Sequence, residues 1–225
     1  MFRRTTVLAI ALAATVSAHA IGQVQTKDSQ AALTPGKTLE LLKEGNARFV
    51  AGKPKRRDWP ADVKATASGQ YPYTAIVSCM DSRAPMEIVL DQGIGDMFGI
   101  RVAGNVIDTD ILGSLEYAVK VVGVRLIAVV GHTHCGAVHG AIDGADFGSL
   151  TALLKQIAPA ISASGPGSSK DEAYVDKVAR ANVRQSMREI REKSAIIRDA
   201  LQSGKVGLVG GMYDIDTGKV TFMAD

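Results

Sequence analysis

The sequence lacks a strong excess of either charge. Its 26 lysines and arginines against 23 aspartates and glutamates give a formal net charge of +3 at pH 7. A value this close to zero gives no argument for a nucleic-acid or other polyanionic partner. Internal repeats and low-complexity tracts are also absent. The length suits one domain with a sizeable core.

Long hydrophobic runs are absent except near the N-terminus. There, Arg3 and Arg4 precede an apolar run over 7–16, and Ala18-His19-Ala20 follows it as a small-x-small cleavage site. This is the pattern of a secretory signal peptide, and the run is too short to span a bilayer. We therefore predict a signal peptide over 1–20, the alternative being an uncleaved signal anchor, and a single domain over 21–225.

Loss of this segment would remove two positive charges, so the mature chain would carry 3 − 2 = +1. It would have no membrane span, because no second apolar run is long enough. The predicted location is outside the cytoplasm: the periplasm of a bacterium with two membranes, or otherwise secreted.

Cysteine is scarce, and both cysteines stand in short polar motifs. The first is Cys79-Met80-Asp81-Ser82-Arg83 and the second is His132-Thr133-His134-Cys135. Two thiolates and one imidazole suit Zn²⁺, and three protein ligands leave the fourth tetrahedral position open, as in catalytic sites. We therefore predict Cys79, His132 and Cys135 as zinc ligands. The alternative is a disulfide, which the ligand-like spacing and the polar residues around the first cysteine disfavour.

Asp81 and Arg83 are predicted to be catalytic. Asp81 has two interpretations that the sequence leaves open: it closes the zinc site as a fourth ligand, or it pairs with Arg83 and orients a zinc-bound water. His134 and His139 are expected not to bind the metal, because a tetrahedral site rarely needs more ligands.

The pattern of apolar runs predicts an α/β fold. Short apolar runs over 73–78, 97–102, 124–130, 206–213 and 220–223 are typical of strands, and helical periodicity spans 34–50, 108–122, 149–161 and 171–202. We expect a mostly parallel central sheet flanked by helices, with an antiparallel C-terminal hairpin strand and an N-terminal helical arm after a loose segment over 21–33. The cysteine motifs follow strands, at the edge where such sheets carry their sites.

These motifs, together with Arg101-Val102-Ala103-Gly104-Asn105 and the stretch over 114–119, resemble β-class carbonic anhydrases from about Thr38 to Met223. The resemblance implies zinc bound by Cys79, His132 and Cys135, and a catalytic dyad of Asp81 and Arg83. It further implies that Gln70, Phe98, Tyr117 and Gly136 contact the substrate. By residue type alone, Phe98 and Tyr117 would be ordinary core residues.

The activity implied is reversible hydration of carbon dioxide to bicarbonate and a proton by zinc-bound hydroxide, in a homodimer or higher even oligomer whose cleft is built partly by the neighbouring subunit. Ile76 stands where some bacterial members have a tryptophan of an inhibitory bicarbonate site, so that site is not expected. The alternatives are a hydrolase of carbonyl sulfide or carbon disulfide on the same scaffold, and a non-catalytic zinc or thiol protein.

Overall fold

The strands form one five-stranded sheet. A computed structural model describes residues 23–223, so the predicted signal peptide lies outside the described residues. The sheet order is β2-β1-β3-β4-β5. Its strands are β1 (Thr74–Ser78), β2 (Met97–Arg101), β3 (Leu126–His132), β4 (Gly207–Tyr213) and β5 (Val220–Met223). All pairings are parallel except that of β4 with β5, which confirms the predicted sheet and its antiparallel last strand.

Helices cover both faces of this sheet. They are α1 (Lys27–Ala31), α2 (Pro35–Val50), α3 (Trp59–Thr66), α4 (Met86–Val89), α5 (Thr109–Tyr117), α6 (Gly136–Ile142), α7 (Gly148–Lys155), α8 (Ala158–Ser164), α9 (Glu172–Lys193) and α10 (Ala195–Gln202). Within the described range, none of the helices has both the length and the hydropathy needed to cross a membrane.

Strand β1 shows why its sequence is a continuous apolar run. Successive side chains of a strand point to opposite faces. Ala75 and Val77 therefore belong to the core beneath α9, whereas Ile76 belongs to a second core that includes Leu42 of α2. All five residues of β1 are buried, so the strand has no polar side to reveal it. This arrangement is the one expected for a parallel strand covered on both faces.

Several element boundaries differ from the sequence prediction. The segment before residue 34 is not wholly loose, because Thr26 and Ser29 form a capping box that starts α1. Helix α3 was not predicted, although Asp58 caps it and accepts a hydrogen bond from the Ala61 N–H. The periodicity over 149–161 belongs to two helices, α7 and α8.

Two further predicted helices differ from the structure near their C-terminal ends. The long helix over 171–202 is interrupted at Ser194, whose ψ of 111° is extended and whose hydroxyl caps α10. Serine competes with helical hydrogen bonding and is favoured at such caps. The helix over 108–122 ends in a π-helical turn, Ala118–Val122, which closes on the left-handed Gly123.

The carboxyl ends of β1, β2 and β3 meet at one edge of the sheet. Cys79 follows β1 directly, and a short turn at Ala103–Asn105 follows β2. β3 runs two residues further than predicted, so that His132 is its last residue, and Cys135 occupies the N-cap position of α6. The fold thus brings the two cysteine motifs of the sequence to the same place.

Candidate metal centre

Cys79, His132 and Cys135 place one donor atom each in a compact buried group. The two sulfurs and a ring nitrogen all lie within 4.8 Å of one another. The three residues are 4%, 1% and 1% exposed, respectively. They come from the ends of two neighbouring parallel strands, β1 and β3, which are hydrogen-bonded in register from Thr74 to Ser78. The central sheet therefore fixes the spacing of the donors.

The ring of His132 is oriented for metal binding. Its Nδ1 lies 2.8 Å from the backbone oxygen of Thr133. Because a carbonyl can only accept, Nδ1 carries the proton, and a neutral ring then has its lone pair on Nε2. Nε2 is buried and has no hydrogen-bond partner in the described residues. A buried polar atom without a partner is costly unless something binds it, and a metal ion would do so.

The two thiols are close enough to compete for one negative charge. The pKa of Cys79 is lowered chiefly by a hydrogen bond from the Cys135 thiol, and also by the Gly104 N–H, which lies 3.3 Å from Sγ. The pKa of Cys135 is raised, because its thiol bonds the Cys79 sulfur and is buried. Ionising both would leave two anions side by side unless a cation lay between them.

The donors therefore fit a zinc ion. The set contains two sulfurs that only a cation would let ionise together, and an unpartnered nitrogen aimed at them. Three protein donors with a fourth position left for a small molecule are typical of catalytic zinc.

Asp81 lies at the rim of this group but is bound to Arg83. Arg83 donates from Nε to Oδ1 at 3.0 Å and from Nη2 to Oδ2 at 2.8 Å, and its backbone N–H also bonds Oδ1. These bonds lower the pKa of Asp81 to about 2. Oδ2 is 3.9 Å from His132 Nε2. The carboxylate is thus ionised, oriented and next to the metal donors.

The turn between the two ligands of the second motif is anchored on several sides. Thr133 donates its N–H to the Tyr213 carbonyl and accepts from the Ile215 N–H, each at 3.0 Å. His134 adopts a left-handed φ of 55°. Its ring contacts Glu172 and Asp216, and the ring of His139 also contacts Glu172. Both histidines, predicted not to be ligands, are therefore bound to carboxylates.

The residues expected to contact substrate are divided between places. Gly136 follows Cys135 at the start of α6, and a Cβ there would meet no atom within 4 Å, so the backbone beside the metal group is open. Gln70 is exposed and precedes β1, at the opposite end of that strand from Cys79. The structure of one chain therefore places Gly136, but not Gln70, beside the metal donors.

Phe98 and Tyr117 contact each other away from the metal group. Their rings meet edge to face with centroids 6.3 Å apart and line an open groove. Phe98 pairs with Ala75, four residues before Cys79. At the rise of a strand this is a separation of about 13 Å. The pair is thus displaced from the metal donors of its own chain.

Sequence reasoning gave no separate role to Arg101 or to the Gly104 amide. The Arg101 side chain donates to the carbonyls of Cys79 and Asp81, and Gly104 donates to the Cys79 sulfur. The feature that would have revealed these contacts is the pairing of β1 with β2, which places Arg101 opposite Ser78. That pairing cannot be read from residue spacing, because 22 residues separate Cys79 from Arg101 along the chain.

Comparison with known proteins gives the same result as the site geometry. A family model described as carbonic anhydrase matches residues 74–220. Carbonic anhydrase 2 of Mycobacterium tuberculosis is 38% identical over 191 residues, covering 82% of this chain and 91% of the relative. The carbonic anhydrase of Pseudomonas aeruginosa is 32% identical over 70% of this chain and 76% of its own length.

Solved structures with a similar fold are β-carbonic anhydrases. One of the two tetrameric enzymes from Sordaria macrospora superposes with a TM-score of 0.66 at 26% identity, covering 74% of this chain and 87% of the other. The enzyme CafA of Aspergillus fumigatus gives 0.68 at 25% identity, covering 84% and 91%. With its mostly parallel sheet and its buried Cys-His-Cys group, the chain belongs to the carbonic anhydrases of the β class.

Proposed function

We propose that this protein catalyses the zinc-dependent reaction CO₂ + H₂O ⇌ HCO₃⁻ + H⁺. The observation that carries the proposal is the buried group of two sulfurs and an unpartnered imidazole nitrogen with an ionised carboxylate beside it. Cys79, His132 and Cys135 would hold the metal. When bound, zinc lowers the pKa of a coordinated water from about 15.7 to about 7 and so supplies a nucleophile near neutral pH.

In this proposal Asp81 accepts a hydrogen bond from the attacking oxygen nucleophile. Arg83 occupies two acceptor directions at Oδ1, through Nε and its backbone N–H, and one at Oδ2, and a carboxylate has about four acceptor directions. Asp81 therefore keeps a free lone pair on the side of the His132 ring. Because the guanidinium holds the carboxylate in one orientation, the nucleophile is oriented without rearrangement at the moment of reaction.

We also propose that the working enzyme is a homodimer or a higher even oligomer. Tyr117 is 48% exposed and Val121, four residues later on the same helical face, is 68% exposed. Tyr117 packs against Phe98 of β2, which is an edge strand of the sheet. A second chain covering this edge would bury the Phe98–Tyr117 groove and could place its own metal group against it. The similar enzymes of Sordaria macrospora are described as tetrameric.

Export to the periplasm, or secretion, remains a proposal from the N-terminal pattern. The basic start, apolar run and small-x-small site over 1–20 support cleavage after Ala20. N-terminal sequencing of protein recovered from the cell envelope or medium is expected to begin at Ile21. Protein retained in the cytoplasm with an intact residue 1 would reject the proposal.

The test of the activity is stopped-flow CO₂ hydration by zinc-loaded protein spanning residues 21–225, at about pH 8. We expect rapid, protein-dependent acidification. Asp81→Asn should keep its zinc and lose about 10- to 100-fold in kcat, the range for partners that orient metal-site groups. Asp199→Asn, a matched change at an exposed aspartate on α10, should behave as the wild type.

Two outcomes would contradict the proposal. No acceleration by zinc-loaded wild-type protein would reject the hydratase, and hydrolysis of carbonyl sulfide and carbon disulfide would then be assayed on the same preparation. Purified protein without tightly bound zinc, whose two thiols cycle with a disulfide, would indicate a thiol-redox protein. Full turnover by Asp81→Asn would reject only the role of the carboxylate.

A further inference from the structure

We propose that Arg101 is a positioning residue that fixes a zinc ligand and the catalytic carboxylate as one unit. Its Nε donates to the Cys79 carbonyl at 3.2 Å, and its Nη2 donates to the Asp81 carbonyl at 2.6 Å. The two carbonyls lie on either side of Met80. A single guanidinium therefore constrains two peptide planes of the turn that follows β1, those between residues 79 and 80 and between residues 81 and 82.

The sheet supplies the anchor for this contact. Arg101 is the last residue of β2 and pairs with Ser78, the last residue of β1. The next residue, Val102, donates its N–H to the Ser78 carbonyl at 3.0 Å. Two residues further, the Gly104 N–H reaches the Cys79 sulfur. The end of β2 thus binds the chain just before the turn, the Cys79 sulfur, and the carbonyls of Cys79 and Asp81.

Arg101 differs from Arg83 in what it binds. Arg83 pairs with a carboxylate side chain, whereas no carboxylate of residues 23–223 forms an ion pair with Arg101, and both of its hydrogen bonds go to backbone oxygens. Arg83 fixes the rotation of the Asp81 side chain about the bonds within that side chain. Arg101 instead sets the backbone from which Cys79 and Asp81 both project, so it acts on the spacing between ligand and carboxylate.

This role requires the shape of arginine as well as its charge. A guanidinium presents several N–H groups in a rigid plane and can reach two carbonyls at once, whereas the lysine ammonium is a compact point charge on a flexible stem. If Arg101 acts by geometry, Arg101→Lys should fail nearly as badly as Arg101→Ala. If only positive charge near Asp81 matters, lysine should restore function.

The role of Arg101 in placing Asp81 rests on the proposed function, whereas its role in placing Cys79 does not. The test therefore measures activity, zinc release and the cobalt spectrum separately. In zinc-loaded protein, Arg101→Ala and Arg101→Lys should each lower kcat about 10- to 100-fold, with little change in KM. Zinc release to a chelator should be at least several-fold faster. With cobalt in place of zinc, the thiolate and ligand-field absorption bands should shift. Added guanidinium should restore part of the activity of Arg101→Ala.

Arg125→Ala is the matched control. Arg125 also spans two backbone carbonyls, those of Gln30 and Ala31, from just before β3 at the opposite edge of the sheet. It should leave kcat, zinc release and the cobalt spectrum unchanged.

The inference is overturned if Arg101→Lys matches the wild type in kcat, zinc release and cobalt spectrum. It is equally overturned if both Arg101 variants match Arg125→Ala in these measurements. Arg101→Lys keeps the charge and length of the side chain, so it decides the matter even if Arg101→Ala does not fold. A wild type that binds cobalt but does not hydrate CO₂ would reject the proposed function, while chelator release and the spectrum would still test Arg101.

Discussion

The metal group and the Phe98–Tyr117 groove are built in opposite ways. The three metal donors are at most 4% exposed and converge within 4.8 Å from the ends of two central strands. The groove lies on the edge strand β2 and helix α5, and its tyrosine is 48% exposed. One chain completes the first region, whereas the second remains open to solvent in that same chain.

This difference shows what a single chain can preorganise. Central parallel strands are fixed on both sides by neighbours, so donors at their carboxyl ends can be held to within about 0.5 Å of the geometry that a metal requires. An edge strand has one free side, and natural proteins cover such edges or pair them. Metal binding should therefore survive changes that disturb assembly, while turnover should depend on both regions.

The largest effect is expected from breaking the metal group itself. His132→Ala removes the buried Nε2 donor and leaves only two protein donors, so zinc should be lost and CO₂ hydration should fall to the buffer rate. Zinc content by atomic absorption and stopped-flow hydration measure this. His139→Ala, whose ring contacts Glu172, is the control and should retain one zinc per chain. Retention of zinc by His132→Ala would contradict the assignment.

Mixed oligomers test whether the groove serves the metal group of a second chain. Asp81→Asn and Phe98→Ala are each expected to be weakly active alone. If the cleft is shared, a dimer with one chain of each kind has one site with both defects and one intact site. Random exchange at equal amounts should then recover about a quarter of wild-type activity, because half of the dimers are mixed.

No recovery, in a mixture shown by mass spectrometry to have exchanged subunits, would place the whole cleft within one chain. A mixture of Asp81→Asn with Asp81→Ala is the control. It exchanges in the same way but can form no intact site, so its activity should stay at the level of the single variants.

The same comparison explains how much of the molecule could be predicted from the sequence. The continuous apolar runs before Cys79 and His132 predicted buried parallel strands, and such strands bring their carboxyl ends to one edge. The donor set followed from residue chemistry at those ends. Hydrophobic periodicity and ligand spacing are local signals, and each extends over only a few residues.

What the sequence did not predict depends on contacts between distant segments or on single capping residues. The bond from Arg101 to the Asp81 carbonyl requires the register of β2 on β1, which no short pattern encodes. The break at Ser194 depends on one hydroxyl that bonds Glu116 and caps α10. Periodicity continues across this residue, so it predicted one helix where the structure has two.

The smallest effect is expected at the start of α5, the helix that carries Tyr117. Asp108 caps this helix by accepting a hydrogen bond from the Ile111 N–H at 2.8 Å. Asp108→Ala should lower the free energy of unfolding by about 1 kcal/mol, the usual cost of losing an N-cap, as measured by urea denaturation of the zinc-loaded protein. Leu115 anchors α5 in the core and is fully buried, so kcat/KM should change less than about twofold.

Asp110→Ala is the matched control, because Asp110 lies in the first turn of the same helix without capping it. Its effect on stability should be at most about 0.5 kcal/mol, through the helix dipole. The two regions then separate cleanly: Asp81→Asn should lose turnover with little change in stability, and Asp108→Ala should lose stability with little change in turnover. A loss of kcat/KM in Asp108→Ala as large as that in Asp81→Asn would mean that the position of Tyr117 is set by the N-terminus of α5 rather than by its packed face. The groove would then be a preorganised part of the site even in a single chain.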